Sequence, residues 1–221
     1  MILEINDLLT AAEVTQLREL AQKVKFVDGR ASNTGFELKA NLQADPSDAA
    51  SQEASKVVVG AFRRSRQFMD FVFPKQIAPP LLARYTPGMK YGPHADAAFM
   101  ALGGRTPMRS DVSCTVFISD PASYEGGELV LHLGARSMAL KSPPGGAIVY
   151  PSTTLHEVAP VRSGERLVAI TFIESLIADE QDRLILYELG EISALEGNNM
   201  HWANRMRLEV VRQNLTRRWG K

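Results

Sequence analysis

The stretch from about residue 69 to 175 most limits what this chain can become. Short apolar runs alternate there with Gly, Pro and Asp turns: "FVF", "LLARY", "SCTVFIS", "GELVLHL", "GAIVYP" and "RLVAITFIE". Many short strands at regular spacing point to an all-β sandwich or barrel. A chain of 221 residues holds one good core, or at most one large domain with an appended helix pair.

Helical signals lie on both sides of that stretch. "TAAE" forms a capping box: the Thr10 hydroxyl takes the Glu13 N–H while the Glu13 carboxylate reaches back. Val14, Leu17, Leu20, Ala21 and Val24 then recur on one helical face. Residues 36–42, "FELKANL", read as extended. A second helix is predicted from Asp45, with Pro46 in the first helical position, where its missing N–H costs nothing. After Ser175 helical texture returns. "DEQDRLILYEL" is stopped by Gly190, and 201–219 carries Trp202, Met206, Val210, Val211 and Leu215 on one face. The expected division is therefore 1–175, helices plus a β core at 69–175, and a C-terminal helical extension, 176–221, packed on it.

Composition excludes several function classes. The chain carries 25 basic and 25 acidic residues, so no obligate nucleic-acid or membrane-surface partner is expected. The arginines at 205, 207, 212, 217 and 218 lack interleaved stacking aromatics and read as a solvated helix face. The single cysteine, Cys114, rules out an intrachain disulfide framework and fits a reducing compartment. It lies in the core strand "DVSCTVFIS" and reads as a small buried hydrophobe. The start "MILEINDLLTAAEV" lacks the basic residues and long apolar run of a signal peptide, so a cytoplasmic protein is expected.

The chemistry concentrates in two places. In "RYTPGMKYGPHADAAF", His94 and Asp96 stand at i and i+2, so on a strand they project to the same side. Together they make two adjacent ligands for a divalent metal. Alone the pair reads better as a surface or capping pair. His156, in "YPSTTLHEVAPVRSGERLVAI", changes the odds. Two histidines and one carboxylate with open coordination positions form the facial triad of non-haem Fe(II) oxygenases. Ten residues on, Arg166 enters an apolar strand, which is expensive for a guanidinium unless it is paired. A carboxylate ligand would match its fork, or the side chain lies at the strand edge in solvent.

Three further features carry weaker readings. His132, in "GELVLHLG", reads as a satisfied or exposed strand histidine, and His201 as surface or capping. The segment 97–111, with Arg105 and Arg109, is long for a connection inside a compact domain and is predicted to border a substrate entrance.

The segments "RYTPGMKYGPHAD", "EGGELVL" and "PPGGAIVYPSTTLHEVAPVRSGER" together resemble the Fe(II)/2-oxoglutarate dioxygenases of the prolyl 4-hydroxylase-like branch. Within it the chain is most similar to the bacterial PKHD-type hydroxylases associated with iron uptake. "VDGRASNTGFELKANLQ" and "FIESLIADEQDRLILYEL" extend the resemblance over nearly the whole chain. It implies a mainly β fold with flanking helices, a double-stranded β-helix or jelly roll. It implies His94, Asp96 and His156 as iron ligands, Arg166 on the distal carboxylate of 2-oxoglutarate, and Tyr85 offering a phenol to the same cosubstrate. It implies hydroxylation with O2, release of succinate and CO2, and L-ascorbate as a reductant. "KANLQ" departs from the family pattern, where a second asparagine is usual, which bears on substrate contacts near Asn41 and not on the iron site.

Two other functions fit the same residues less fully. One is a cupin-like metalloenzyme without 2-oxoglutarate, in which His132 would join the ligands. The other is a non-catalytic jelly roll that binds a metabolite. The substrate, small-molecule or peptidyl, is not readable. The apolar face of the C-terminal helix needs a partner, from its own barrel or from a second subunit.

Overall fold

In the computed structural model, which describes residues 1–32, 38–101 and 106–221, the apolar runs pair into antiparallel sheets. The first strands are β1 (Leu3–Ile5), β2 (Phe26–Asp28), β3 (Lys39–Ala40), β4 (Leu42–Ala44), β5 (Pro74–Ile77), β6 (Leu81–Tyr85) and β7 (Lys90–His94). There follow β8 (Phe99–Met100), β9 (Met108–Arg109), β10 (Val112–Phe117), β11 (Tyr124–Gly126) and β12 (Leu129–Leu133). The last are β13 (Arg136–Leu140), β14 (Ala147–Pro151), β15 (His156–Val158), β16 (Val161–Gly164) and β17 (Arg166–Ser175). The helices are α1 (Ala11–Lys23), α2 (Ala49–Arg64), α3 (Arg66–Val72), α4 (Glu180–Glu196) and α5 (Trp202–Trp219).

The larger sheet runs β1-β14-β10-β17-β6-β4-β2, with β5 also on β17; the smaller runs β13-β12-β15-β7-β3. Neighbours in space come from distant parts of the chain, as the jelly-roll arrangement requires. One face of the larger sheet buries Val112, Val116 and Ala169 against Leu17, Val58, Phe62 and Phe68 of the first three helices. Its other face meets the smaller sheet through Tyr85, Phe117, Leu129, Leu131, Ile148 and Val168. Cover on both faces is why β17 reads as an almost unbroken apolar run. Each fully buried Phe contributes about 1.5–3 kcal/mol, and Phe62 and Phe68 also stack at 4.4 Å.

Several boundaries differ from the expectations. Helix α1 has the predicted capping box on Thr10. Helix α2 starts three residues later than predicted. Asp45 instead turns the chain by accepting the Ser47 N–H, and Asp48 is the cap, accepting from Ala50. "FVF" is no strand. Phe68, Phe71 and Val72 are spaced i, i+3, i+4 and bury one face of α3, which Ser65 caps and a left-handed Phe73 (φ 48°) ends. Helix α4 passes through Gly190 and closes at Gly197. A helix interior tolerates glycine at about 1 kcal/mol, and a Cβ at Gly190 would stand 3.4 Å from Arg212 of α5, an ordinary contact.

No residue of α5 is buried, and Trp202 is 71% exposed. Its predicted apolar face is therefore not packed on the barrel. The helix is held by Ser193 of α4 on the Glu209 carboxylate and by the Lys221 N–H on the Leu176 carbonyl. Of the extended stretch 36–42, residues 36 and 37 lie outside the described residues, Leu38 lies in a turn, and β3 and β4 bear out Lys39, Ala40 and Leu42. Among the described residues no helix is long and apolar enough to cross a membrane.

Candidate active site

The site grows from one irregularity in the smaller sheet. His156 of β15 lies opposite His94 of β7, but Val158 lies opposite Tyr91, so two steps on β15 match three on β7. The extra residue is a β-bulge at Gly92-Pro93. Proline is tolerated in sheets at such a bulge. The bulge turns Tyr91 and His94 to the same side, where their rings stack at 3.6 Å and 16°. Gly92 is required there: a Cβ would lie 2.8 Å from Leu38.

Asp96 reaches the histidines by another route than the predicted strand geometry. β7 ends at His94, and Asp96 lies beyond it, its N–H on the Ser152 carbonyl at 3.3 Å. The three side chains still converge. One ligand atom from each of His94, Asp96 and His156 can be chosen so that all lie within 4.8 Å of one another. His94 Nδ1 is 2.8 Å from the Gly92 carbonyl and His156 Nδ1 is 2.9 Å from the Thr154 carbonyl. A carbonyl only accepts, so each Nδ1 carries the proton and each Nε2 keeps its lone pair for a metal. Burial, helped by the neighbouring His156, lowers the His94 pKa to about 4, which keeps its imidazole neutral. Two imidazoles and a carboxylate, open on one side, suit Fe(II).

The carboxylate is fixed from the larger sheet. Ser113 Oγ donates to Asp96 Oδ2 at 2.6 Å, Ser152 Oγ stands 2.8 Å from Ser113 Oγ, and Ser110 Oγ donates to Ser152 at 2.8 Å. Sequence reasoning missed this relay. Its trace is in β10, where Ser113 and Thr115 alternate with Val112, Cys114 and Val116 in a wholly buried strand. Polar residues on one face of such a strand mark a face that meets more than side-chain packing. Cys114 itself is buried, and burial pushes its thiol up, away from nucleophilic use.

A cavity of about 280 Å³ lies between the two sheets, with His94, Asp96 and His156 on one wall and Arg166 and Tyr85 on another. Arg166 opens β17 directly opposite Tyr85 of β6, its guanidinium 4.9 Å from the Tyr85 ring centroid. Only 1% of it is exposed, and its Nε has no hydrogen-bond partner. Among the described residues no carboxylate stands within ion-pair distance of it. A buried cation left in this state is costly, and a planar anion in the cavity would satisfy it. The strand-edge alternative for Arg166 is excluded by its burial. Burial also raises the Tyr85 pKa, and Asn41 Nδ2 donates to its oxygen at 3.0 Å. The phenol therefore stays protonated, with its own O–H available to donate.

The remaining histidines lie elsewhere. Leu131 is opposite His156 on the β12–β15 ladder, so His132 projects to the other face, where Nε2 is 3.3 Å from Glu157. His201 caps α5. In the segment 97–111, β8 and β9 form a short ladder, Ala97 and Met100 line the cavity, and Arg109 is held by Asp111 at 2.7 Å. Arg105 lies outside the described residues.

Comparison with known proteins agrees with this geometry. A profile of the 2OG-Fe(II) oxygenase superfamily matches residues 80–174. A PKHD-type hydroxylase of Sphingopyxis alaskensis is 51% identical over 218 residues, 99% of each chain. One from Xanthomonas campestris pv. campestris is 37% identical, covering 100% of this chain and 99% of its own. Among solved structures, a prolyl hydroxylase of Trichoplax adhaerens in complex with a hypoxia inducible factor peptide fragment superposes with a TM-score of 0.58. The match is 18% identical and covers 83% of this chain and 86% of that one. A Pseudomonas putida prolyl-4-hydroxylase gives 0.53 at 19% identity, covering 79% and 92%. Their low identity bears on the fold alone, the jelly roll, while the full-length relatives carry the family: this chain belongs to the PKHD-type hydroxylases, 2-oxoglutarate-dependent enzymes of the 2OG-Fe(II) oxygenase superfamily.

Proposed function

We propose that His94, Asp96 and His156 hold Fe(II), and that Arg166 and Tyr85 bind 2-oxoglutarate, in an enzyme that hydroxylates a small-molecule or peptidyl substrate. The carrying observation is one cavity with two unsatisfied walls. Three convergent metal-type ligands line one, and a buried guanidinium with no carboxylate partner among the described residues lines the other. When bound, Fe(II) and 2-oxoglutarate supply the oxidising power, consuming O2 and releasing succinate and CO2.

The chain supplies everything else. The carbonyls of Gly92 and Thr154 set both imidazole tautomers. Ser113 holds Oδ2 of Asp96, which faces His156, and leaves Oδ1 toward His94. Arg166 takes a terminal carboxylate of 2-oxoglutarate, and the Tyr85 hydroxyl donates a second bond. The apolar walls, Leu129 and Val158 among them, exclude water around the reacting groups.

Residues 1–175 form the catalytic unit in this reading and 176–221 a helical extension on it. Of the segment 97–111, Ala97 and Met100 border the entrance, and residues 102–105 lie outside the described residues. L-Ascorbate serves as a reductant that restores Fe(II), the setting is cytoplasmic, and the link to iron uptake follows the family resemblance. The exposed face of α5 is available for a second subunit. The test is succinate formation from 2-oxoglutarate. It requires Fe(II) and O2 and disappears in Asp96→Ala and His156→Ala. Undiminished succinate formation in Asp96→Ala overturns the assignment.

A further inference from the structure

The segment 39–43 is built inside out. Lys39, Asn41 and Gln43 are 4%, 3% and 7% exposed and line the cavity, while Ala40 is exposed and Leu42 only partly buried. Alternation along an extended chain places i, i+2 and i+4 on one side. Here that buried side is the polar one. Burying such groups costs free energy unless each is satisfied. Asn41 Nδ2 serves Tyr85, but its Oδ1, fully buried, has no hydrogen-bond partner. The polarity of this wall therefore fits a ligand better than it fits packing.

Its cation stands on the metal side. Lys39 lies opposite Tyr91 on the β3–β7 ladder, its ammonium 4.9 Å from the ring centroid, and His94 stacks on that ring. Arg166 faces the same cavity from the larger sheet. The cavity thus has two buried cations on opposite walls, and 2-oxoglutarate engages one of them. An ammonium carries three donors, so it can serve a ligand beside whatever partner it keeps in the fold.

We infer that Lys39 binds a carboxylate of the substrate, so that the enzyme acts on an amino-acid-like acid, or on the C-terminal residue of a peptide, rather than on a residue within a chain. Asn41 accepts a hydrogen bond from a donor on the same molecule. This inference rests on the proposed function and deepens it.

The experiment uses the full chain loaded anaerobically with Mn(II) and 2-oxoglutarate. Calorimetry measures binding of a series of N-acetyl amino acids and of the corresponding primary amides. At least one acid is expected to bind, with its amide weaker by about tenfold or more. Lys39→Met, which keeps the buried stem, is expected to erase that preference and leave 2-oxoglutarate affinity within about twofold. Lys39→Arg restores part of it if the variant accommodates the larger head. N-acetyl dipeptides ending in the preferred residue separate the two sources. Binding as tight as that of the single residue assigns a peptide terminus, and loss of binding assigns the free acid. Equal binding of acid and amide, an unchanged preference in Lys39→Met, or no binding by any acid while 2-oxoglutarate binds, overturns this inference alone. Failure of 2-oxoglutarate to bind overturns the proposed function and this inference with it.

Discussion

His94 and His156 are direct partners across the β7–β15 ladder, with ring centroids 4.2 Å apart. Neither ring is held by the other. Each is fixed from behind by a backbone carbonyl two residues earlier in its own chain, Gly92 for one and Thr154 for the other. The pair is thus set before any metal arrives, and Asp96 completes it from outside the strand.

Ser113→Ala tests how much of that setting comes from the larger sheet. It removes the hydroxyl that donates to Asp96 at 2.6 Å without touching a ligand atom. Losing a partner of this kind costs about 10–100-fold in metal affinity. Competitive Mn(II) titration should show a loss in that range, and a larger one for Asp96→Ala. Unchanged affinity in Ser113→Ala would mean the relay through Ser152 only fills space.

Arg166→Met separates cosubstrate binding from stability. Charge-assisted hydrogen bonds contribute about 1.5–3 kcal/mol each, so 2-oxoglutarate affinity should fall by about two orders of magnitude or more. Metal affinity should stay the same. The ligand-free protein should melt no lower than wild type, because a buried guanidinium lacking a carboxylate partner is replaced by a side chain that needs none. A large drop in melting temperature would show that Arg166 is a structural cation.

Acid should destabilise the metal-free protein within a defined window. The His94 pKa is lowered to about 4 from an ordinary 6.5, chiefly by burial. Between these values the unfolded chain binds the proton that the folded chain refuses. Stability rises with pH there, is fully present above 6.5, and is lost as pH falls through 4. Urea midpoints at several pH values should show this slope, and His94→Gln should flatten it. An unchanged slope in the variant would assign the effect to other groups.

Much of this was legible in the chain because short apolar runs bounded by turn residues set strand position, and β6, β10, β12, β14 and β17 all follow that pattern. The short strands β1 and β2 were not, since three residues carry no period. "FVF" misled because it is the end of a helical i, i+3, i+4 face seen alone. His94, His156 and Arg166 could be picked out by residue type and spacing. The route of Asp96 could not be, because β7 ends at His94, and the side of Tyr91 could not be, because the bulge at Gly92-Pro93 changes the side to which residues point. Ser113, Ser152 and Lys39 acquire meaning only through cross-sheet neighbours more than fifteen residues away in sequence. Trp202, Met206, Val210 and Val211 of α5 are exposed, and sequence does not say what covers them.

The central claim is that one cavity holds Fe(II) and 2-oxoglutarate together. Anaerobic visible absorbance tests it most directly, because a 2-oxo acid chelated to Fe(II) gives a metal-to-ligand charge-transfer band. Adding Fe(II) and then 2-oxoglutarate to the metal-free protein should produce that band, and Asp96→Ala and Arg166→Ala should each weaken it. Iron binding without the band would contradict the account.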